Sequence, residues 1–271
     1  MKGLKKIALA TAVAAMPFAA HADMKALDDT AMGNVTGQAG VTIELETKVS
    51  IGQFVYTDEG SFTVNDIVLG GSGVAGGPGT DLLDQLKIDI DVEADGDAVI
   101  HVGSLDGMPI DWGMTASSME LIAADGSEST TLVSGLSGWG NLGALDIRVD
   151  TATDTLNLAV AFNVVDMDFD VEFLGVGIVD MQIMGGNYFE DLAAGGDPTT
   201  LAFTSFAVAD VDVYKGAGLG ESTMTDVLRI DINDITMDMR IGAIEIGGAS
   251  IGSIAMDNLT ISDTKLAVYG H

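Results

Sequence analysis

The chain has 271 residues, 47% of them hydrophobic, with no cysteine and a formal net charge of −30 from 41 acidic and 11 basic side chains. The missing cysteines exclude a disulfide framework, and the acidity, unrelieved by any basic patch, excludes nucleic acid and anionic lipid headgroups as partners. So many apolar residues exclude wholesale disorder too, so the carboxylates belong on exposed faces of a folded chain.

Residues 1–22 read as a secretory signal. Lys2, Lys5 and Lys6 form the charged start, Ile7–Phe18 the apolar run and Ala20-His21-Ala22 the small-x-small cleavage site. That run is too short to span a bilayer and no later run reaches 18 apolar residues, so no transmembrane helix is expected. The product is expected in the periplasm, at the outer-membrane surface or outside the cell. Residues 23–40 predict one short N-terminal helix and a linker: Leu27, Ala31 and Val35 recur every four residues, with Asp28 and Asp29 in the opening turn.

Residues 41–271 read as a single β domain. In Val41–Leu69 the apolar Val41, Ile43, Leu45, Val49 and Ile51 alternate with Thr42, Glu44, Glu46, Lys48 and Ser50, the period of a half-buried strand. Thr57-Asp58-Glu59-Gly60 supplies a turn and Phe62 and Val64 resume the alternation, which makes a long hairpin. Gly70–Gly79 is a loop and a boundary between sub-sheets. Ile88, Ile90 and Val92 then alternate with Lys87, Asp89, Asp91 and Glu93, up to a turn at Ala94–Asp97. Residues 103–143 carry a looser pattern, with short strands expected around Trp112–Met114 and Met119–Ile122.

Alternation returns at Leu145–Val149 and again at Leu156, Leu158, Val160 and Phe162. It is clearest where Val165, Met167, Phe169, Val171 and Phe173 alternate with Asp166, Asp168, Asp170 and Glu172. Gly185–Pro198 reads as a loop, Phe203–Tyr214 and Leu228–Ile241 as strands, and Ile244–Tyr269 as short strands punctuated by glycine. Apolar parity flips across polar pairs at Val64-Asn65-Asp66-Ile67 and Ile232-Asn233-Asp234-Ile235, with a permuted relative at Met256–Leu259, which is the signature of a β-bulge or tight bend. The fold class is therefore all-β: an elongated antiparallel sandwich, or a folded-over, solenoid-like sheet.

Catalytic motifs fail on context. Gly71–Gly76 has the dinucleotide-binding spacing but is followed by Gly77-Pro78-Gly79 and a strand instead of a helix. Gly248–Gly252 has the hydrolase-elbow spacing around Ser250, without a following helix or a base; past the signal the only histidines are His101 and His271. No enzymatic activity is expected. Asp91, Glu93, Asp95 and Asp97, in DVEADGD, resemble the first half of a calcium loop, with hard oxygens at alternate positions around a glycine turn; calcium is thus the one cofactor considered. Asp166, Asp168 and Asp170 read as a solvated strand face, too widely spaced along one strand to share an ion. A membrane barrel is not expected, because aromatic girdles are missing.

The segment Leu27–Glu44, LDDTAMGNVTGQAGVTIE, together with YTDEG at Tyr56–Gly60, resembles a family of uncharacterised exported Gram-negative proteins, some described as pilus-system components. The resemblance implies a secreted, β-rich, surface- or fimbria-associated protein without known activity. Leu27, Met32, Val35 and Gly37 also fall on the spacing of a double-glycine leader, with Gln38 departing from it, and mark a segment able to dock on a cysteine-peptidase-like partner. The function expected is that of a non-enzymatic exported structural component, pilus- or adhesion-associated, with protein partners and possible self-association through sheet edges. The alternative is a periplasmic or outer-membrane β module that binds lipid or another apolar ligand, with Met167, Met181, Met184, Met237 and Met239 as adaptable packing.

Overall fold

The computed structural model describes residues 40–73 and 77–270. The expected signal, the N-terminal helix and the docking residues Leu27, Met32, Val35 and Gly37 lie outside them. Within them, alternating sequence becomes twelve antiparallel strands of one continuous sheet. These are β1 (Val41–Thr47), β2 (Val49–Thr57), β3 (Ser61–Gly70), β4 (Leu83–Val92), β5 (Ala98–Ser104), β6 (Ile110–Ile122), β7 (Ser129–Asp150), β8 (Thr155–Val171), β9 (Val176–Met184), β10 (Ala207–Gly216), β11 (Val227–Ile246) and β12 (Ala249–Val268).

The pairing resolves the twelve strands into eight rows. The first half of the sheet runs β1-β4-β5-β7-β8-β10-β11-β12. The second runs β2-β3-β6-β7-β8-β9-β11-β12. Four long strands (β7, β8, β11 and β12) cross both halves, whereas each remaining row is made of two strands end to end. A crease separates the halves. Along it β7 and β8 slip register at Trp139/Gly140 and Leu142/Ala144, and β11 and β12 slip between Met237 and Met239.

Two of the three polar pairs seen in the sequence sit at such irregularities: Asn233 is the extra residue where β11 passes β10, and Asn258, with left-handed backbone (φ 54°), lies in the slip between β11 and β12. An inserted residue flips parity and so keeps the apolar side chains on one face. At the third, Asp66 is left-handed (φ 50°) while β3 keeps its register with β2 and β6. Between β11 and β12 the two-residue turn Gly247-Gly248 has φ 61° and 75°, the double positive φ that a tight hairpin turn needs and glycine supplies without strain.

Three expectations are corrected. Residues 103–143 hold β6 and much of β7, the longest strand. Ile244–Tyr269 is the end of β11 and one 20-residue strand, β12, with no string of short ones. The Gly185–Pro198 loop contains a short helix, α1 (Tyr188–Ala193), and leads into a second, α2 (Pro198–Leu201), opened by Asp197 accepting from the Thr199 amide, with Pro198 in its first turn. Small residues and a polar, glycine-flanked context hid both.

Burial concentrates along the crease. Ile110, Asn141, Asn163, Val164, Met184, Tyr188, Ala207 and Asp238 are all buried there. Asn163 Oδ1 accepts from the Asn141 amide (2.8 Å), and its Nδ2 donates to the carbonyls of Ala202 (2.7 Å) and Ser205 (3.1 Å), which ties the helical insert to the sheet. Asp238 accepts from the amides of Phe189 (2.9 Å) and Asn258 (2.7 Å). Away from the crease most strand positions are only half-buried on either face. The all-β, antiparallel class expected from the sequence is the one found, as one large sheet of twelve strands.

Candidate functional site

Cross-strand register sorts the first half of the sheet into two chemically distinct faces. Ile43, Ile88, Val102, Leu145, Val160, Ala209, Ile235 and Ile261 stand directly opposite one another, one from each of eight consecutive strands. A second row runs from Val41 through Ile90, Ile100, Ile147, Leu158 and Val211 to Ile232, and a third from Val92 to Leu266. In a two-layer sandwich such rows would be buried. Here Ile88, Val102, Leu145, Val160, Ile235 and Ile261 are half-buried and Val41 is 56% exposed, so apolar parity marks a face without burying it. The expectation of half-buried strands at the start of the domain is corrected in the same way: β1 and β2 are exposed almost throughout.

The opposite face carries the acids. Thr42, Asp89, His101, Asp146, Ala159, Asp210, Asp234 and Ser262 form one row across it. Like charges on one face repel, and the chain answers with polar bridges. Asp210 and Asp212 are held between Asn157 (2.7 and 2.9 Å) and the bulge residue Asn233 (3.1 and 3.0 Å). His101 Nδ1 lies 2.6 Å from Asp146 Oδ1. Hydrogen bonds from Thr42 and Lys87 hold the Asp89 carboxyl below its ordinary pKa.

The predicted calcium ligands come together only in part. Glu93, Asp95 and Asp97 bring carboxylate oxygens within 4.8 Å of one another at the β4–β5 turn, and Asp91 is not among them. Their charge is met from within the chain. Arg148 Nη2 lies 2.6 Å from Asp97 Oδ2 and 3.0 Å from Glu93 Oε2, while Asp97 Oδ1 accepts from the amide and hydroxyl of Thr151 (2.9 and 3.1 Å). Both oxygens of the buried Asp97 are engaged, and those contacts, the Thr151 amide first, lower its pKa. The arrangement clamps the β4–β5 hairpin to the β7–β8 hairpin, with the Arg148 guanidinium facing two of the three carboxylates.

A second carboxylate cluster corrects the expectation that Asp166 and Asp168 stand too far apart along β8 to share an ion. Asp166 and Asp168 on β8 are joined by Asp180 of β9, all within 4.8 Å, while Asp170 stands opposite Ser134 and Gly177 instead. Asp180 has left-handed backbone (φ 52°), and its amide donates to Asp168 Oδ1 (2.8 Å). Burial, then the neighbouring Asp168 and Asp180 charges, raise the Asp166 pKa. Three hard oxygens could take a divalent cation. Spacing along β8 alone could not have shown this, because the third ligand comes from the paired strand.

Among the described residues both lateral edges of the sheet are open: β1 and β2 pair only inward, with β4 and β3, and β12 pairs only with β11. β2 contains no charged residue, and β12 only Asp257, Asp263 and Lys265. Phe54 is 50% exposed and Ile251 63%. At the far end of the second half an open cleft of about 780 Å³ lies between the β2–β3 and β6–β7 turns, lined by Tyr56, Phe62 and Leu121 with Asp58, Glu59 and Glu128. Among the described residues no helix is long and apolar enough to cross a membrane.

Residues 1–94 are similar to a family of unknown function (DUF6160), in line with the resemblance to an uncharacterised family seen at Leu27–Glu44. No curated protein and no solved structure matches the chain.

Proposed function

We propose that this is a non-enzymatic, exported structural component of the cell surface, of the pilus- or adhesion-associated kind, that assembles edge to edge through its sheet. The observation carrying this reading is the pair of edges left open among the described residues, about as long as the sheet's longest strands, without the prolines that ordinarily protect an edge and, along β2, without charge. The row count adds support. Strand direction alternates across eight rows, so the β1–β2 edge runs antiparallel to the β12 edge. A second copy placed by simple translation sets its β1–β2 against β12 in the alternation the sheet already has, with the creases in line. Such a head-to-tail contact is heterologous and does not close, so it propagates.

The test is concentration-dependent assembly of the purified full chain, followed by sedimentation velocity and negative-stain microscopy. The wild-type chain is expected to form polymers. Val55→Lys on β2 with Ile254→Lys on β12, both on exposed side chains, is expected to abolish them while far-UV circular dichroism stays β. A wild-type chain without polymers at any concentration, or a double variant that polymerises unchanged, would overturn the proposal.

A further inference from the structure

We infer that the apolar face of the first half-sheet is a pairing surface for a second copy of this chain, packed sheet on sheet. The contact is distinct from the edges, and its occupant follows from area, charge and symmetry. Eight strands, each about 4.8 Å wide, make the face about 38 Å wide, and its three rows, each two residues or about 6.7 Å deep, make it about 20 Å tall, with the second and third rows one strand short of the full width. That footprint is about 700 Å² per copy and about 1,400 Å² per pair, within the range of stable specific interfaces and beyond what a crystal-type contact needs.

Charge narrows the occupant through its placement on the sheet. The formal net charge of −30 opposes adsorption to anionic headgroups. When two copies meet through their apolar faces, the Asp89, Asp146, Asp210 and Asp234 rows point outward on both sides, separated by two sheets and the interface. The face is also self-complementary in kind. Branched aliphatic side chains such as Ile147, Leu158 and Val160 interdigitate across the roughly 10 Å that separates packed sheets. A two-fold pair of this sort closes on itself and yields a dimer, whereas edge pairing yields open rows.

The experiment uses the edge-blocked Val55→Lys/Ile254→Lys chain, in which row formation is suppressed, and measures mass by sedimentation equilibrium. A discrete dimer of the 27.9 kDa chain is expected. Adding Val160→Asp at the centre of the face should weaken it by at least about 30-fold. Val160→Thr, which keeps the shape and the β propensity, should weaken it in the same direction with unchanged circular dichroism, which guards against an unfolded aspartate variant. Ala159→Ser, on the opposite face, should leave the dimer intact. A chain monomeric at high concentration, or a dimer indifferent to both Val160 variants, would overturn the inference. So would an edge-blocked monomer that floats with zwitterionic phosphatidylcholine vesicles, which would assign the face to lipid. A wild-type chain that forms face-dependent dimers but no polymers would keep this inference and refute edge assembly.

Discussion

Replacing Asn163 by alanine removes the strut that holds the helical insert against the crease. Asn163 is fully buried and makes four hydrogen bonds, two accepted from Asn141 (2.8 and 3.3 Å) and two donated to the Ala202 and Ser205 carbonyls (2.7 and 3.1 Å). Asn141 Nδ2 also reaches the Ala202 carbonyl at 2.9 Å, so that acceptor keeps a donor. The Asn141 amide and the Ser205 carbonyl do not. Leaving a buried amide unsatisfied costs about 1–3 kcal/mol, the half-buried carbonyl about 1 more, and the vacated volume about 1 again. The sum is about 4 kcal/mol, a large share of the 5–15 kcal/mol by which domains are ordinarily stable. Urea unfolding is the assay, followed by the fluorescence of Trp112 and Trp139, the chain's two tryptophans, both on strands that meet at the crease. The midpoint should fall by more than about 1 M with an unchanged m-value. Hydrogen exchange of Tyr188–Leu201 should accelerate before that of β7 and β8. A loss under about 1 kcal/mol, with the helical segment as protected as before, would refute the reasoning.

Two further outcomes depend on pH. Asp97 titrates below its ordinary value in the folded chain, so its contribution is complete above the unfolded carboxylate pKa and is lost as pH falls through the lower folded value; Asp97→Asn should therefore destabilise at pH 7, and the gap to wild type in urea midpoint should shrink in acid. Asp166 shifts the other way. Its contribution is present below the unfolded pKa and lost as pH rises through the raised folded value, so Asp166→Asn should raise the melting temperature at neutral pH, with the gain disappearing in acid.

The backbone of this fold was legible in the residues because register in a sheet is a parity question. Ile88, Ile90 and Val92, or Leu156, Leu158 and Val160, announce both the strand and the face. The polar pairs at Asn233-Asp234 and Asp257-Asn258 announced the irregularities. Burial was not legible, because alternation says which face a side chain takes and nothing about whether a second layer covers that face. Val41 and Ile51 have the pattern of core residues and lie exposed on an edge strand. Clusters that need a partner strand were equally hidden. Asp180 reaches Asp166 and Asp168 only because β9 pairs with β8, and Arg148 meets Glu93 and Asp97 across an interval of about 50 residues, which no local spacing encodes.

The eight rows follow the order of the chain, from β1 and β2 at one side to β12 at the other. A polypeptide emerging amino end first can therefore lay down its sheet like courses of brickwork, each new length settling on the one just finished, without awaiting a distant closing strand. At every stage before the last the growing margin is adhesive, and a chain cut short after β8 or β10 ends with that margin bare. Premature truncation is thus expected to produce aggregates where a barrel or a two-layered domain of this size would leave unfolded fragments.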